Sequence, residues 1–213
     1  YTPKQRLWYI RANEVVISSG SIERPLVFGN NDTPGVMLSS AAKEYLKVYG
    51  VLVGKKPLVF TNNDSGYETA IEFKKNGIDP IVLDTRKDTN SEIINEAKSL
   101  NIEIKFSHVV VVAKGYKKVK SADIAKITDD KKQLSEITNI KCDCICVSGF
   151  WTPTIHLASQ SGNKTKFNEE IDAFVPSQSK QQETTLGSAK GIYTLEETLK
   201  TSFEKGFEIS NKL

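Results

Sequence analysis

The sequence predicts an α/β fold in which a parallel sheet is covered by helices on one side and by an antiparallel meander on the other. Between Pro57 and Phe106, short apolar runs alternate with helical patterns in the order β-α-β-α-β. This order is typical of a doubly wound parallel sheet with right-handed crossovers. After Ser107, β-branched residues alternate with charged residues on either side of Gly115, which favours antiparallel strands.

Each element follows from a local pattern. The helices repeat apolar residues at three- and four-residue spacing, and Ser91 provides an N-cap for one of them. The strands are short apolar runs bounded by turn residues. The predicted strands are Leu7–Ile10, Glu14–Ser18, Pro57–Phe60, Pro80–Leu83, Glu103–Phe106, His108–Ala113, Tyr116–Ile127 and Cys142–Val147, and the predicted helices are Ser39–Tyr49, Gly66–Asn76, Ser91–Leu100, Thr154–Gln160 and a stripe from Leu195 to Phe203.

Composition excludes several classes of protein. The 213 residues carry 29 Lys and Arg against 26 Asp and Glu, a net charge of +3 that is too mild for a nucleic-acid-binding footprint. Mean hydropathy is −0.34, and no apolar run is long enough to cross a membrane. The three cysteines lie within Cys142–Cys146, unlike a secreted disulfide framework, so a reducing, cytoplasmic location is predicted. The missing initiator Met and signal peptide predict a piece of a longer polypeptide.

The turn after the first parallel strand is the most informative motif. Thr61, Asn62, Asn63, Asp64 and Ser65 precede Gly66, at the place where a dinucleotide-binding fold has G-x-G-x-x-G. Gly66 takes the place of the third glycine, which allows close helix–strand packing, while Thr61 and Asn63 replace the first two. Asn63 reaches the left-handed conformation more easily than most residues, so the turn can survive the replacement. The unit is therefore predicted to be Rossmann-like.

Asp84 is the second candidate in this unit. It ends the next strand, 18 residues after Gly66, where an acidic residue bonds the ribose of NAD. A carboxylate there disfavours the 2′-phosphate of NADP, although the positive charge of nearby Arg86 weakens this preference for NAD. The alternative is a strand–turn–helix that serves only as a scaffold, with Asp84 solvated.

Two apolar strands flank this unit, and both end in Ser-Gly, at Ser19-Gly20 and at Ser148-Gly149. Small residues at a strand end let backbone amides approach a cofactor. The arrangement predicts an inserted NAD-binding-like domain at 51–139 within a partial FAD/NAD-type host domain made of 1–50 and 140–213.

Five segments carry a closer resemblance. They are Arg6–Ala12, Glu23–Pro25, Asn31–Leu38, Thr61–Ser65 and Ser148–Leu157. On these segments the chain resembles the alpha subunit of heterotetrameric sarcosine oxidase, a flavoprotein with two dinucleotide-binding domains, from Arg6 to about Leu199. The Asn-Asn-Asp-Ser turn in place of glycines is specific to that family.

The resemblance implies a function for the whole enzyme. The family oxidises sarcosine to glycine, with FAD in the beta subunit, FMN near the alpha–beta interface, and NAD bound to the alpha subunit. It implies beta, gamma and delta subunits as partners, and neither a nucleic acid nor a membrane as a partner. It also implies that this chain is a central fragment without the N-terminal glycine fingerprint or the C-terminal aminomethyltransferase-like domain. We therefore expect the fragment to bind NAD weakly and to be inactive by itself.

Other readings stay open at this point. The chain could be a structural or interaction module without a ligand, or an NAD(P)H-dependent disulfide-reductase-like enzyme, although Cys142-Asp143-Cys144 lacks the redox C-x-x-C spacing. The cysteines at 142, 144 and 146 are predicted to share one face of a strand, with a core role favoured over a metal site. His156 either faces a cofactor or partner or bonds the backbone at a helix end. Glu23 and Arg24 could form a functional pair, although a surface ion pair is the more common case, and Tyr67 is predicted to be ordinary packing.

Overall fold

The computed structural model describes residues 4–128 and 133–212. The helices are α1 Ser39–Lys47, α2 Ser65–Lys75, α3 Glu92–Ser99, α4 His156–Gln160 and α5 Leu195–Ser210, with a 3-10 helix at Gly187–Lys190. The strands are β1 Val15–Ile17, β2 Ser21–Glu23, β3 Val36–Leu38, β4 Pro57–Thr61, β5 Ile81–Asp84, β6 Glu103–Phe106, β7 His108–Lys114, β8 Ser121–Lys126, β9 Thr138–Lys141, β10 Cys144–Ser148, β11 Trp151–Pro153, β12 Lys164–Asn168, β13 Ala173–Gln178 and β14 Glu183–Thr185.

The chain divides into two compact units. Unit 1 combines the residues up to Ile22 with those from Trp151 onward, and unit 2 is the continuous segment Glu23–Phe150. These bounds differ from the predicted limits of 51 and 139 for the inserted domain. The reason is that β3 and β10, which the sequence analysis assigned to the flanking domain, pair within the central sheet of unit 2.

The central sheet of unit 2 has the strand order β3-β10-β4-β5-β6, and all of its pairings are parallel. Its register places Thr61 beside Ser148 on one side and beside Asp84 on the other. Because parallel strands end at the same edge, the carboxyl ends of β10, β4 and β5 lie side by side.

Two apolar layers cover this sheet. On one face, Leu58, Phe60 and Ile145 pack with residues of the antiparallel sheet β7-β8-β9, including Val110 and Ile124. The other face, with Val59, Val82 and Cys146, packs against the helices. The helical contribution comes from Ala42 of α1, from Tyr67, Ala70, Ile71 and Phe73 of α2, and from Ile94 and Ala97 of α3. Alternate residues of a strand point to opposite faces, so each central strand supplies both layers. The predicted three-layer α/β architecture is confirmed.

Unit 1 is built from smaller pieces. β1 and β14 form a parallel pair, β2 pairs with β11, and β12 with β13 forms an antiparallel hairpin. The Leu7–Ile10 strand predicted from the sequence is wrong, since this segment has no regular structure and all four side chains are exposed. Among the described residues, no helix has the length and hydropathy needed to cross a bilayer.

Candidate functional site

The candidate site is the gap between the carboxyl ends of β4 and β10. The chain leaves β4 and continues to β5 and β6 on one side of the sheet, while β10 lies on the other side of β4. Such a reversal is a topological switch point, where open α/β sheets bind ligands. The structure therefore brings together two sets of predicted residues here, namely Thr61–Ser65 and Ser148 with Gly149.

Side-chain hydrogen bonds hold the turn between β4 and α2. The amide of Asn63 donates to Thr61 Oγ1 at 3.1 Å, and the same hydroxyl donates to the carbonyl of Asn63 at 2.9 Å. Asn63 Oδ1 accepts from the amide of Ser65 at 2.9 Å and from its hydroxyl. The turn survives the loss of two glycines without using the left-handed conformation that Asn63 can reach, because Asn63 is not among the described non-glycine residues with positive φ.

The Asn63 side chain also closes the gap between the strands. Its Nδ2 donates to the carbonyl of Ser148 at 3.1 Å, is 3.2 Å from Ser148 Oγ, and lies 2.9 Å from Asn62 Oδ1. The backbone amide of Asn62 donates to the same Ser148 carbonyl at 3.3 Å. Both Asn63 and Ser148 are buried. One amide side chain thus fixes the turn against the end of β10.

These bonds decide what the turn can offer to an anion. In a glycine-rich phosphate loop, backbone amides point outward to the pyrophosphate. Here the amides of Asn62, Asn63 and Ser65 already have acceptors within the chain. The half-exposed carboxylate of Asp64 adds negative charge at the start of α2. A pyrophosphate would have to displace internal hydrogen bonds to bind at this turn.

Two glycines permit close backbone approaches at this edge. A Cβ on Gly66 would lie 2.6 Å from Cβ of Thr61, which confirms the predicted reason for a glycine at the helix start. A Cβ on Gly149 would lie 2.8 Å from the carbonyl oxygen of Arg24, to which the Gly149 amide donates at 2.7 Å. Gly149 therefore packs against the chain that enters unit 2.

Asp84 is fully buried at the end of β5, and both oxygens of its carboxylate accept hydrogen bonds from within the chain. Oδ1 accepts from the backbone amide of Arg86 at 2.9 Å, and Oδ2 accepts from Arg86 Nη2 at 2.8 Å and from the Tyr67 hydroxyl at 2.7 Å. Arg86 Nη1 also lies 2.8 Å from Asp64 Oδ1. Asp84 is thus not solvated as the scaffold alternative expects, and a ribose hydroxyl reaches it only if Arg86 moves.

The ionisation of this cluster follows from its contacts. Burial, followed by the hydrogen bond to Asp84, raises the pKa of Tyr67 well above its ordinary value. Burial by itself would lower the pKa of Arg86, but the hydrogen bonds to Asp84 and Asp64 outweigh it and raise the pKa. Arg86 therefore stays charged and Tyr67 stays neutral at physiological pH.

Ser19 and Gly20 lie in unit 1. Ser19 Oγ donates to the carbonyl of Thr154 at 2.7 Å, and the carbonyl of Gly20 accepts from the amide of Thr154 at 2.9 Å. Gly20 has φ +76°, a conformation that favours glycine. Ser19 and Gly20 therefore fix the backbone of Thr154, the residue that follows β11.

The three cysteines are buried and free of disulfides. Cys144 and Cys146 share the helical face of β10 with their sulfurs 3.5 Å apart, but Cys142 precedes the strand and packs in the opposite layer, so the prediction of one shared face is wrong. Burial raises the pKa of Cys142 to about 12. In the described part of the chain, no three His, Cys, Asp or Glu side chains are placed to hold a metal ion.

Comparison with known proteins supports the resemblance noted above. The chain is 33% identical over 205 residues to sarcosine oxidase subunit alpha of Corynebacterium sp. (strain P-1), an alignment that covers 95% of this chain and 21% of that protein. It is 34% identical over 191 residues to sarcosine oxidase subunit alpha of Rhizobium meliloti (strain 1021), covering 89% of this chain and 18% of that subunit. The chain matches a fragment of the sarcosine oxidase alpha subunit. It spans about a fifth of the length of these relatives.

Solved structures with low sequence identity to this chain share its fold. Thioredoxin reductase of T. acidophilum has a TM-score of 0.67 at 17% identity, covering 88% of this chain and 61% of that one. L-Proline dehydrogenase from P. horikoshii has a TM-score of 0.55 at 23% identity, covering 84% and 30%. No family model matches the sequence.

Two polar residues, Tyr67 and Glu23, have roles that the sequence did not predict. Tyr67, predicted as packing, is also the hydrogen-bond donor to Asp84. Glu23 is buried, and its carboxylate accepts from the amide of Ser40 at the start of α1, so the predicted surface location of Glu23 is wrong. His156 is exposed at the first position of α4. No local pattern indicates this role of Glu23, because Glu23 and Ser40 lie 17 positions apart in the sequence.

Proposed function

We propose that this chain is part of an oxidoreductase subunit of the sarcosine-oxidase type, and that unit 2 contributes a dinucleotide site. The proposal rests on the turn at Thr61–Ser65, which stands at the switch point of a parallel sheet and begins a helix with a close-packed glycine. The relatives named sarcosine oxidase subunit alpha support oxidation of sarcosine by the assembled enzyme, and the resemblance implies glycine as the product.

The cofactor proposed for this subunit is NAD. Asn62, Asp64 and Ser65 are partly exposed along the turn, and the charged Arg86 lies at the end of β5, so these residues would contact the adenosine and phosphate portions. A bound nicotinamide supplies hydride chemistry, and we assign no catalytic residue to this chain. Because three backbone amides of the turn already donate hydrogen bonds within the chain, NAD is expected to bind weakly, with a Kd of roughly 1 mM or above.

The remaining parts of the proposal follow what the resemblance to the sarcosine oxidase alpha subunit implies. FAD and FMN belong to the assembled enzyme, with beta, gamma and delta subunits as partners. Ser19, Gly20, Ser148 and Gly149 would support the chain at strand ends, since each pair is already engaged in backbone packing. Three buried cysteines without disulfides support a reducing, cytoplasmic location.

A second candidate function is a scaffold without a ligand. The occupied amides of the turn and the saturated carboxylate of Asp84 favour it. Such a unit would stabilise the subunit without binding a nucleotide.

NMR mapping separates the two candidates. The full chain, labelled with ¹⁵N, is titrated with NAD while backbone amide shifts are followed. Dose-dependent shifts confined to Thr61–Ser65, Arg86 and Ser148–Gly149 would support a dinucleotide site. An absence of shifts at roughly 10 mM NAD would support the scaffold.

A further inference from the structure

A cavity of about 540 Å³ opens at the amino ends of the parallel strands in unit 2. Pro57 of β4, Ile81 of β5 and Glu103 of β6 line it, so it lies at the edge of the sheet opposite the proposed nucleotide site. A cavity of this size can take a small organic ligand. The function proposed above makes no use of it.

Three lysines line this cavity, and we call them the cavity lysines. Lys55 and Lys56 precede β4, and Lys141 is the last residue of β9. All three residues are exposed, and none of them forms an ion pair with another described residue. Three ammonium groups around one opening repel each other, and a bound anion would offset this repulsion.

The two acidic residues of the lining do not neutralise the cavity lysines. Asp79 pairs with Lys74, and Glu103 pairs with Lys105 at 2.8 Å. Neither Lys74 nor Lys105 is among the residues that line the cavity. Because each carboxylate has another lysine as its partner, the positive charge of the cavity lysines stays available to a ligand.

The helix ends at this edge do not reverse that charge. Helices α2 and α3 both end here, and a helix dipole places about half a negative charge at its carboxyl end. Gly77 and Ile78 donate their amides to carbonyls of α2 at 3.0 Å each, and Asn101 and Ile102 donate to carbonyls of α3 at 3.0 and 3.1 Å. These carbonyls therefore need no donor from a ligand. Two half charges are smaller than three full charges, so the cavity favours an anion.

Asp143 fixes the backbone that carries two of the cavity lysines. Its Oδ2 accepts from the amide of Lys55 at 2.9 Å, and its Oδ1 accepts from the amide of Lys56 at 2.8 Å. A Cβ on Gly54 would lie 2.7 Å from Asp143 Oδ1, so a glycine lets the chain pass this close. Asp143 itself does not line the cavity. The backbone of Lys55 and Lys56 is thus ordered before a ligand arrives, which lowers the entropy cost of binding.

The inner wall of the cavity is apolar. Leu58 is fully buried, whereas Ile78, Ile81 and Ile140 are only partly buried. The partly buried isoleucines keep apolar surface that a ligand can remove from water. An inorganic anion would leave this surface exposed, and an uncharged apolar ligand would leave the cavity lysines unpaired.

We propose that this cavity binds a small organic anion with an apolar body. The cavity lysines hold the anionic group at the opening, and the body covers the isoleucines of the inner wall. This site goes beyond the proposed nucleotide function and does not depend on it.

Fluorescence titration of the full chain with 8-anilinonaphthalene-1-sulfonate tests the proposal, because this probe joins an anionic group to an apolar ring system. We expect saturable binding that the double variant Lys55→Gln with Lys141→Gln weakens by about 5-fold or more. Raising NaCl from about 50 to 500 mM should also weaken it. Lys166→Gln, at an exposed lysine of unit 1, is the matched control and should change nothing. The uncharged probe N-phenyl-1-naphthylamine should bind the double variant and the unaltered chain equally well.

Amide shifts of the ¹⁵N-labelled chain locate the site. The sulfonate probe, and octanoate as an aliphatic anion, should shift Lys55–Lys56, Asn101–Glu103 and Ile140–Cys142. Inorganic phosphate at the same concentration should not displace either of them.

Three results would overturn the proposal. The first is equal affinity of the sulfonate probe for the double variant and the unaltered chain. The second is a set of shifts confined to Leu199 and Phe203, exposed apolar residues of α5, and the third is full displacement by phosphate. NAD-induced shifts at Thr61–Ser65 should be the same with and without octanoate, so failure here leaves the proposed nucleotide site standing.

Discussion

The hydroxyl of Tyr67, in the first turns of α2, donates a 2.7 Å hydrogen bond to the buried carboxylate of Asp84 at the end of β5. Arg86 completes the carboxylate's hydrogen bonds and reaches Asp64 at the start of α2. Helix and strand are thus joined by one polar cluster at the edge where the dinucleotide is proposed to bind.

Removing the Tyr67 hydroxyl should destabilise the fold. Tyr67→Phe keeps the ring in the apolar layer but deletes a hydrogen bond to a buried charge, and we expect a loss of about 2 kcal/mol in the free energy of unfolding. Urea unfolding measures it. Tyr116→Phe, at a side chain that is 92% exposed, is the matched control and should change nothing. Equal stabilities for the two variants would show that the hydrogen bond is unimportant.

Replacing Arg86 should lower the free energy of unfolding more than replacing an exposed cation does. Arg86→Gln leaves Asp84 buried without its ion pair, which should cost about 3 kcal/mol. Lys75→Gln breaks the exposed pair with Glu96 and should cost less than about 1 kcal/mol. The double variant Asp84→Asn with Arg86→Gln should recover part of the loss in urea unfolding. If the losses of the single variants Asp84→Asn and Arg86→Gln simply add in the double variant, the two side chains are not energetically coupled, which would contradict the ion pair.

The two glycines inside helices α2 and α5 should respond oppositely to alanine. Gly66→Ala brings a Cβ to 2.6 Å from Thr61, so about 1–3 kcal/mol of unfolding free energy should be lost. Gly206→Ala meets no atom within 4 Å, so the better helix propensity of alanine should raise stability by about 0.5–1 kcal/mol. Thermal unfolding distinguishes them, and a tolerated Gly66→Ala would contradict the close approach of α2 to β4.

Alkaline pH should weaken the fold. Burial raises the pKa of Cys142 to about 12 from an ordinary value of 9.0, so the folded chain keeps a proton that the unfolded chain releases. The stability contributed by this group is therefore complete below pH 9 and is lost as the pH rises towards 12. The free energy of unfolding, measured with urea between about pH 8 and 11, should therefore fall as the pH rises. Cys142→Ala should flatten the fall, and an unchanged slope would contradict the assignment.

Much of the fold could be predicted because its signals are local. The apolar runs at Pro57–Phe60 and Pro80–Leu83 identify strands that are buried on both faces, and Gly66 marks the close contact of α2 with β4. Ser91 caps α3 as predicted, accepting from the amide of Ile94. Patterns within one element suffice for these features.

The remaining features depend on distant contacts. The bond between Asn63 and Ser148 joins residues 85 positions apart, and β3 is too short to be recognised before its pairing with β10 is known. The sequence predicted Asp84 at the correct strand end. Which hydrogen bonds its carboxylate accepts depends on where the side chains of Tyr67 and Arg86 point. Leu7–Ile10 has a strand-like composition and no strand partner among the described residues.

The measurement that tests the proposed nucleotide site most directly is calorimetric titration with NAD of the unaltered chain, Asn63→Gly and Asn101→Gly. Asn63→Gly frees the amide of Ser65 and opens the gap beside Ser148, whereas Asn101 is an exposed residue at φ +55° where glycine is tolerated. We predict a Kd of roughly 1 mM or above for the unaltered chain and for Asn101→Gly, and binding up to about 10-fold tighter for Asn63→Gly. Micromolar binding by the unaltered chain, or no gain in Asn63→Gly, would contradict a site whose backbone donors are held by its own side chains.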